Sequence, residues 1–177
     1  EVVEMSHAKD SFVLVDAVSS FGGIPFPGGR LGIDAAFSAS QKCLAAPAGI
    51  APLLVSPSLW EASDPKAVDG WYLNLHTWDK YQREWGDWHP TPTTISSNLF
   101  YAVHRALLLV KEEGLAARFA RHARVALRLR EGLADLGFEP VATPELLSNT
   151  VTCVRPPAGV DAASLVKGLT EKHNIYI

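Results

Sequence analysis

The sequence predicts an α/β fold, and the first observation behind it is a set of three continuous apolar segments. These segments, "SFVLVDAVSS", "IDAAFSAS" and "GIAPLLVS", are separated by glycine- and proline-rich stretches. Apolar runs without alternation are typical of strands in a sheet that is covered on both faces. Secondly, apolar residues recur at helical spacing from Ile95 onward. Thirdly, the tail alternates short strand-like and helix-like segments, so a smaller α+β lobe should follow the sheet.

The individual elements follow from these patterns in chain order. "EVVEMSHAKDS" indicates an amphipathic helix that precedes the first strand. Two consecutive helices follow Ile95, and we expect Gly114 and Gly137 to end them, because glycine adopts the left-handed backbone of a helix terminus. In the tail, "GFEPVA" and "NTVTCVRPP" predict strands, 161–173 predicts a helix and "NIYI" predicts a last strand.

Composition argues against nucleic acid and membrane surfaces as partners. The 177 residues carry a net charge of -3, with 47% hydrophobic and 20% charged residues, so there is no basic field to attract phosphates. Acidic residues flank the arginines of the helical region, which indicates a solvated helix face. Those arginines are Arg118, Arg121, Arg124, Arg128 and Arg130.

The cysteines and histidines give no sign of a metal site. Cys43 and Cys153 form no CxxC pair, so they predict neither a disulfide framework nor a zinc site, and we interpret both as small buried hydrophobic residues. The histidines form no HExxH motif. No apolar run of 18 residues and no signal-peptide pattern is present, which favours the cytoplasm as the compartment.

Two glycine- or serine-containing segments resemble known catalytic motifs only superficially. In "GGIPFPGGRLG" the glycines have the spacing of a phosphate-binding loop, but Gly29 stands where the lysine belongs. Ser19 and Ser20 lack the GxSxG pattern of a hydrolase nucleophile. We therefore interpret the first segment as a turn-rich connection and do not expect a hydrolase.

The apolar run that ends at Asp16 raises the question of what partners its charge. A carboxylate at a buried strand end costs several kcal/mol unless it is paired. Lys42 directly follows the second predicted strand, among small residues, and we expect it in a confined apolar pocket. A lysine that forms a Schiff base and a carboxylate that pairs with the pyridinium nitrogen are the two groups that pyridoxal 5'-phosphate requires. The two residues therefore predict a site for this cofactor.

Three segments resemble the class V aminotransferases of pyridoxal phosphate fold type I, especially the alanine–glyoxylate and serine–glyoxylate branch. They are "LVDAVSSFGGIP", "GIDAAFSASQKCLAAPAGIAPLLVS" and "WHPTPTTISSNLFYAVHRAL", and the resemblance runs along nearly the whole chain. It implies that residues 1–110 are the later part of the large cofactor-binding α/β domain, including an interface loop. Residues 111–177 would begin the small α+β domain, so the chain is expected to be the middle and later part of an aminotransferase.

The resemblance also implies roles for five residues. Lys42 would form the Schiff base and move a proton, and Asp16 would pair with the pyridinium nitrogen. Val18 would pack under the cofactor ring, and Gln41 would contact the phosphate region. Thr94, in the loop "HPTPTTIS", would reach the phosphate of a neighbouring subunit.

An alternative for that loop is that Thr94 or Ser96 caps the following helix, which is compatible with a role at the phosphate.

Aromatic density in residues 60–88 indicates packing between subunits or lobes rather than a cofactor site. A homodimer with a shared active site is therefore expected. The tryptophans concerned are Trp60, Trp71, Trp78, Trp85 and Trp88.

The function that the resemblance implies is transfer of an amino group from a small amino acid, alanine or serine, to a 2-oxo acid, glyoxylate or pyruvate. Transamination between 2-aminoethylphosphonate and pyruvate is the nearest alternative, because "SSFGGIP" is also common in that branch. A second alternative is a truncated, non-catalytic interaction module. Visible spectroscopy with the cofactor distinguishes the enzyme from the module.

Overall fold

The computed structural model describes residues 1–67 and 70–177. The helices are α1 (Val2–His7), α2 (Gly28–Leu31), α3 (Pro57–Ala62), α4 (Leu75–Trp85), α5 (Ser97–Glu113), α6 (Leu115–Asp135) and α7 (Ala162–His173), with a 3₁₀ turn at Pro144–Leu146. The strands are β1 (Leu14–Asp16), β2 (Ala35–Phe37), β3 (Leu53–Val55), β4 (Glu139–Pro140) and β5 (Val154–Arg155). The three predicted apolar strands, the first helix and the two consecutive long helices are therefore confirmed.

The three apolar strands form one mixed sheet in the order β1-β2-β3. β1 and β2 are parallel, with Asp16 opposite Phe37, whereas β2 and β3 are antiparallel. The central strand is buried, with Ala36 4% exposed, but Leu14 in β1 is 65% exposed and Leu53 in β3 is 49% exposed. The expectation of a sheet covered on both faces is therefore not met by the described residues, because only the central strand is packed on both sides.

The described chain forms two compact units. The first contains Glu1–Phe21 and Pro25–Glu112, and the second contains Gly22–Ile24 and Glu113–Ile177. Unit 1 holds the three-stranded sheet with α1 to α5. The assignment of 1–110 and 111–177 to the large and small domains of a complete enzyme stays a prediction.

Unit 2 is built on α6, which follows Gly114 at a left-handed φ of 79°. The antiparallel pair of β4 and β5 and the helix α7 follow. Asp161 caps α7 by accepting a hydrogen bond from the Ser164 N–H, at 2.7 Å. The strand, strand, helix part of the predicted tail is therefore confirmed.

The predicted last strand, "NIYI", is wrong. Asn174 adopts a left-handed backbone at φ 54° and ends α7, donating its N–H to the Thr170 carbonyl. The Ile175 N–H then bonds back to the Leu169 carbonyl at 3.1 Å. These bonds satisfy the helix end, as in other left-handed caps, and use the backbone group with which a strand would pair to a neighbour.

Within the described ranges, no helix combines the length and the apolar content that a membrane crossing requires. The same part of the chain contains no group of three or more histidine, cysteine and acidic side chains placed to hold a metal ion.

Candidate functional site

Asp16 is the last residue of β1, and its carboxylate is exposed rather than buried. Oδ1 accepts the Val18 N–H at 2.8 Å, which closes a tight turn beyond the strand. Among the described residues, Oδ2 has no hydrogen-bond partner. The expectation of a buried strand end is wrong because β1 is an outer strand of only three residues. The carboxylate is instead available to an added group.

Lys42 lies in the segment that leaves β2 and returns to β3. The Ala45 N–H donates to the Lys42 carbonyl at 2.9 Å, and Ala45 itself has a left-handed φ of 58°, so the backbone turns sharply here. The lysine side chain is exposed and makes no ion pair or hydrogen bond within the described chain. It therefore does not lie, within the described chain, in the confined apolar pocket that the sequence predicted, and its amine is accessible.

Ser40 holds the loop that carries Lys42, and the sequence reasoning did not single it out. Its side chain is completely buried, and Oγ donates to the Pro47 carbonyl at 2.6 Å while accepting the Ile50 N–H at 3.2 Å. Its backbone N–H bonds the Ile50 carbonyl and its own carbonyl accepts the Ala46 N–H, each at 2.9 Å. The signal in the sequence was a serine between a strand end and the predicted Schiff-base lysine, where a buried hydroxyl can close a loop.

The loops of Asp16 and Lys42 contact each other. The Ala17 N–H donates to the Phe37 carbonyl at 2.9 Å, and Ser38 Oγ donates to the Ala17 carbonyl at 3.3 Å. Farther along, the Cys43 thiol donates to the Ser19 carbonyl at 3.4 Å. Both loops leave the carboxyl ends of neighbouring parallel strands, which is where ligands bind in α/β sheets.

The other predicted cofactor residues divide into two groups. Val18 is half-buried and lies in the Asp16 loop, and Gln41 is exposed beside Lys42, so the two loops bring four of the five residues to one edge of the sheet. Thr94 is exposed in the segment before α5 and belongs to neither loop. The two loops therefore carry four of the predicted residues, and the role of Thr94 stays a prediction.

The start of α5 bears on the alternative role of Thr94. The Leu99 and Phe100 N–H groups bond to the Ser96 carbonyl, at 3.1 and 3.2 Å, which places Ser96 at the helix terminus. Neither the Thr94 nor the Ser96 hydroxyl makes a capping hydrogen bond in the described part of the protein. The capping alternative is therefore not observed.

The cysteines differ from the prediction that both are buried. Cys43 is half-buried and bonds the Asp16 loop as described above. Cys153 is exposed and lies just before β5, where its carbonyl accepts the Val141 N–H at 3.0 Å. The prediction is wrong for Cys153 because β5 is a two-residue strand with no covering layer on that side chain.

The tryptophan-rich region forms edge-to-face aromatic contacts around α4. Tyr81 packs against Trp85 with ring centroids 4.6 Å apart and against Trp71 at 5.8 Å. Even so, Trp71 is 50% exposed and Trp88 is 75% exposed. A role for this aromatic surface between subunits stays a prediction.

The comparisons with known proteins agree with this geometry. A crystal structure of alanine–glyoxylate aminotransferase from Nostoc sp. superposes with a TM-score of 0.90 at 34% identity, covering 99% of this chain and 46% of that one. The fold is therefore that of the pyridoxal phosphate-dependent aminotransferases of fold type I, of which this chain is a part.

Sequence relatives give the family. The aminotransferase class-V profile matches residues 1–177, and the chain belongs to that family. An uncharacterised aminotransferase of Methanocaldococcus jannaschii is 39% identical over 180 residues, which are 100% of this chain and 46% of that protein. The serine–glyoxylate aminotransferase of Methylorubrum extorquens is 33% identical over 177 residues, 94% of this chain and 42% of that protein. The chain thus spans less than half the length of these relatives.

Proposed function

We propose that the protein transfers an amino group between a small amino acid and a 2-oxo acid with pyridoxal 5'-phosphate as its cofactor. The observation that carries the proposal is the pairing of two adjacent loops at the carboxyl ends of β1 and β2. Within the residues that the structure describes, one loop presents the Lys42 amine without a partner and the other presents an Asp16 oxygen that accepts no hydrogen bond. In a class V aminotransferase, these are the two groups that the cofactor needs.

The chemistry of these donors fits the cofactor. A primary amine reacts with the cofactor aldehyde, and an ionised carboxylate holds a proton on a pyridine nitrogen. Neither group is occupied in an ion pair within the described residues, so both are accessible to an added group. When bound, pyridoxal phosphate supplies an electron-withdrawing ring that weakens the bonds at the substrate Cα.

The residues of this chain then have separate tasks. Lys42 Nζ would hold the cofactor and would accept a proton from the substrate Cα. Asp16 Oδ2 would stabilise a positive charge on the ring nitrogen. Val18 would offer an apolar surface to the ring, Gln41 would contact the phosphate region, and Thr94 would reach the phosphate of a neighbouring subunit.

The substrates that we propose are alanine or serine as donor and glyoxylate or pyruvate as acceptor. Support comes from the relatives named for serine–glyoxylate and alanine–glyoxylate transfer, at 33% and 34% identity.

The exposed aromatic surface around α4 supports a homodimer with a shared active site. The cytoplasm is the compartment that the composition favours.

The cofactor spectrum tests the proposal. The complete polypeptide encoded by the gene is mixed with pyridoxal phosphate, and we expect the visible absorption band of lysine-bound cofactor. Borohydride reduction followed by peptide mapping should place the label on Lys42. Lys9→Gln is the control, because Lys9 is also exposed but lies outside the two loops. This variant should keep both the visible band and the label on Lys42. Absence of the band from the unmodified protein would favour the non-catalytic module.

A screen of donors and acceptors then identifies the reaction. Alanine, serine and 2-aminoethylphosphonate are each paired with glyoxylate and with pyruvate, and the amino acid formed is quantified. We expect the highest kcat/KM with alanine or serine as donor. Exclusive use of 2-aminoethylphosphonate would replace this substrate assignment while leaving the cofactor assignment intact.

A further inference from the structure

Arg118, in the first turns of α6, is a buried charged residue to which the proposed function assigns no role. Its side chain is 8% exposed. Nε donates to the Gly22 carbonyl at 2.8 Å, and an Nη group donates to Glu113 Oε2 at 2.9 Å. Desolvation makes a buried guanidinium costly unless it is paired and hydrogen-bonded. The position of this arginine is therefore closely defined by the groups around it.

Glu113 holds the arginine in place through its own charge. It accepts two hydrogen bonds from Arg121, at 2.5 and 2.9 Å, besides that from Arg118. The Arg121 hydrogen bond, followed by that of Arg118, lowers the pKa of Glu113 to about 2. Glu113 thus stays ionised at neutral pH and neutralises the arginine that reaches Gly22.

Gly22 lies six residues after Asp16, at the exit of the turn that follows β1. Within that turn the Ala17 carbonyl accepts the N–H groups of Ser20 and Phe21, at 3.2 and 2.9 Å. Gly22 has a left-handed φ of 87°, and the segment Gly22–Ile24 belongs to the same compact unit as α6. The turn is therefore fixed at Ala17 by its own hydrogen bonds and at Gly22 by Arg118.

We propose that Arg118 is a positioning residue for Asp16, an inference that rests on the proposed function. The turn begins at Asp16 and ends at Gly22. The Arg118 guanidinium donates a hydrogen bond to the Gly22 carbonyl and so fixes the end of this turn. Without that donor the turn is held only by its own hydrogen bonds at Ala17 and Val18, and the Asp16 carboxylate is less closely positioned. Small displacements of a catalytic group from its reacting partner lower the rate steeply.

The test compares Arg118→Met with the unmodified complete polypeptide, both loaded with pyridoxal phosphate. Arg118→Met keeps an unbranched apolar stem at this position but removes the charge and the hydrogen-bond donors. We expect lysine-bound cofactor to form as before, kcat to fall about tenfold or more, and KM to change less. The pH at which the visible band changes should shift, because that pH depends on the position of the Asp16 charge. A purely structural role would lower Tm and leave the spectrum and kcat unchanged.

Two further variants separate the contacts. Arg121→Met removes a partner of Glu113 but leaves the Gly22 contact, so the spectrum and kcat should match those of the unmodified protein. Arg118→Lys keeps one donor and one charge, and it should restore part of kcat. If Arg118→Met does not fold, the Arg118→Lys variant decides: a shift in the pH at which the band changes, together with a lower kcat, supports the inference, and unchanged values overturn it.

The outcomes distinguish the two proposals. If the unmodified protein shows no cofactor band, the proposed function fails. If it shows the band and both Arg118 variants keep its spectrum, pH dependence and kcat, only the positioning role of Arg118 is overturned.

Discussion

Two aspartates at opposite ends of neighbouring parallel strands show how differently this sheet uses a carboxylate. Asp34 precedes β2 at its amino end and is 3% exposed, whereas Asp16 ends β1 and is exposed. Asp34 Oδ2 lies 2.8 Å from His7 Nε2 and accepts the Val13 N–H at 2.8 Å. Ser56 Oγ donates to Asp34 Oδ1 at 3.4 Å. Across the described ranges, the Asp16 carboxylate accepts one hydrogen bond, from Val18 in its own turn.

The difference distinguishes the end of the sheet that serves stability from the end at which we propose that the cofactor binds. The Asp34 contacts join α1, the start of β1 and Ser56, the residue that caps α3. The hydrogen bond from His7, followed by that from the Val13 N–H, lowers the pKa of Asp34 below its ordinary value of 3.8. A carboxylate satisfied from several directions holds its neighbours together, whereas one with a free oxygen can accept a ligand.

The largest expected effect is that of removing the amine at the carboxyl end. Lys42→Ala should abolish the lysine-bound cofactor band and lower kcat by about 10⁴-fold or more, as loss of a covalent catalytic group does. The free energy of unfolding should change by less than about 0.5 kcal/mol, because the side chain is exposed and unpaired within the described chain. Spectroscopy, steady-state kinetics and urea titration measure the three quantities. Large destabilisation would show that Lys42 is a structural residue.

Asp16→Asn should have the next largest effect. The amide keeps the size of the side chain and its hydrogen bond to Val18, but it cannot stabilise a protonated ring nitrogen. The cofactor should still attach, while kcat falls about 10²–10³-fold, as for other single electrostatic contacts to a reacting group. Asp10→Asn is a matched control, since Asp10 is exposed but belongs to the α1–β1 connection. Unchanged turnover would contradict the assigned role.

Asp34→Asn should affect stability instead of chemistry. In the variant, an NH₂ group takes the place of one carboxylate oxygen and faces groups that now donate to Asp34, such as the Val13 N–H. A buried donor is then left without an acceptor, so we expect Tm to fall by about 5–10 °C. Thermal denaturation followed by circular dichroism measures the change. The kcat of the protein that remains folded should stay within about twofold. A large fall in kcat at unchanged Tm would contradict the difference between the two aspartates, because Asp34 would then act in catalysis and not in stability.

The pH dependence sharpens that contrast. The pKa of Asp34 is depressed in the folded protein, so its ionised form contributes stability above the ordinary value of 3.8, and this contribution is lost as the pH falls toward the folded pKa. Glu113 behaves in the same way between its ordinary value of 4.5 and about 2. Tm should therefore decline below about pH 4.5, and less so in Asp34→Asn. An equally steep decline in that variant would exclude Asp34 as a cause.

The smallest effect is expected at Gly49, in the loop between Lys42 and β3. Gly49 has φ 127°, and a Cβ there would lie 2.5 Å from Leu99 Cδ1 in α5. Gly49→Ala should cost about 1–3 kcal/mol of backbone strain. Gly29→Ala is the matched control, because a Cβ at Gly29 meets nothing within 4 Å. Equal Tm values for the two variants would show that the loop adapts without strain.

The elements that sequence predicted well are those with strong local signals. Apolar runs identified the three strands of the sheet, and Gly114, Gly137 and Asp161 marked helix ends or starts, because the backbone conformation or the cap depends on that residue. The Asp16 and Lys42 loops were expected to lie together, and they contact each other. Local patterns suffice where each residue acts on its own neighbours.

Other features depend on contacts that a local pattern does not contain. The exposure of Asp16 and Lys42 reflects what packs on the sheet, and the sequence of a strand does not specify its cover. The helix α4 begins at an Asn74 cap and carries Leu75, Trp78, Tyr81 and Trp85 at helical spacing, but these residues were interpreted as an aromatic packing region rather than as a helix. The four-residue helix α2 lies in the glycine-rich connection, where propensity favours a turn. "NIYI" has the composition of a strand, but the cap at Asn174 determines its backbone.

The arrangement β1-β2-β3 has a practical consequence for handling this polypeptide by itself. Both outer strands present rows of backbone groups along their free sides, and Leu14, Leu53 and Leu54 add apolar surface beside them. Such strands are templates for adding strands from other chains. A preparation of the 177 residues alone is therefore prone to self-association through these two edges, and added lysines on β1 or β3 are the substitutions that oppose it.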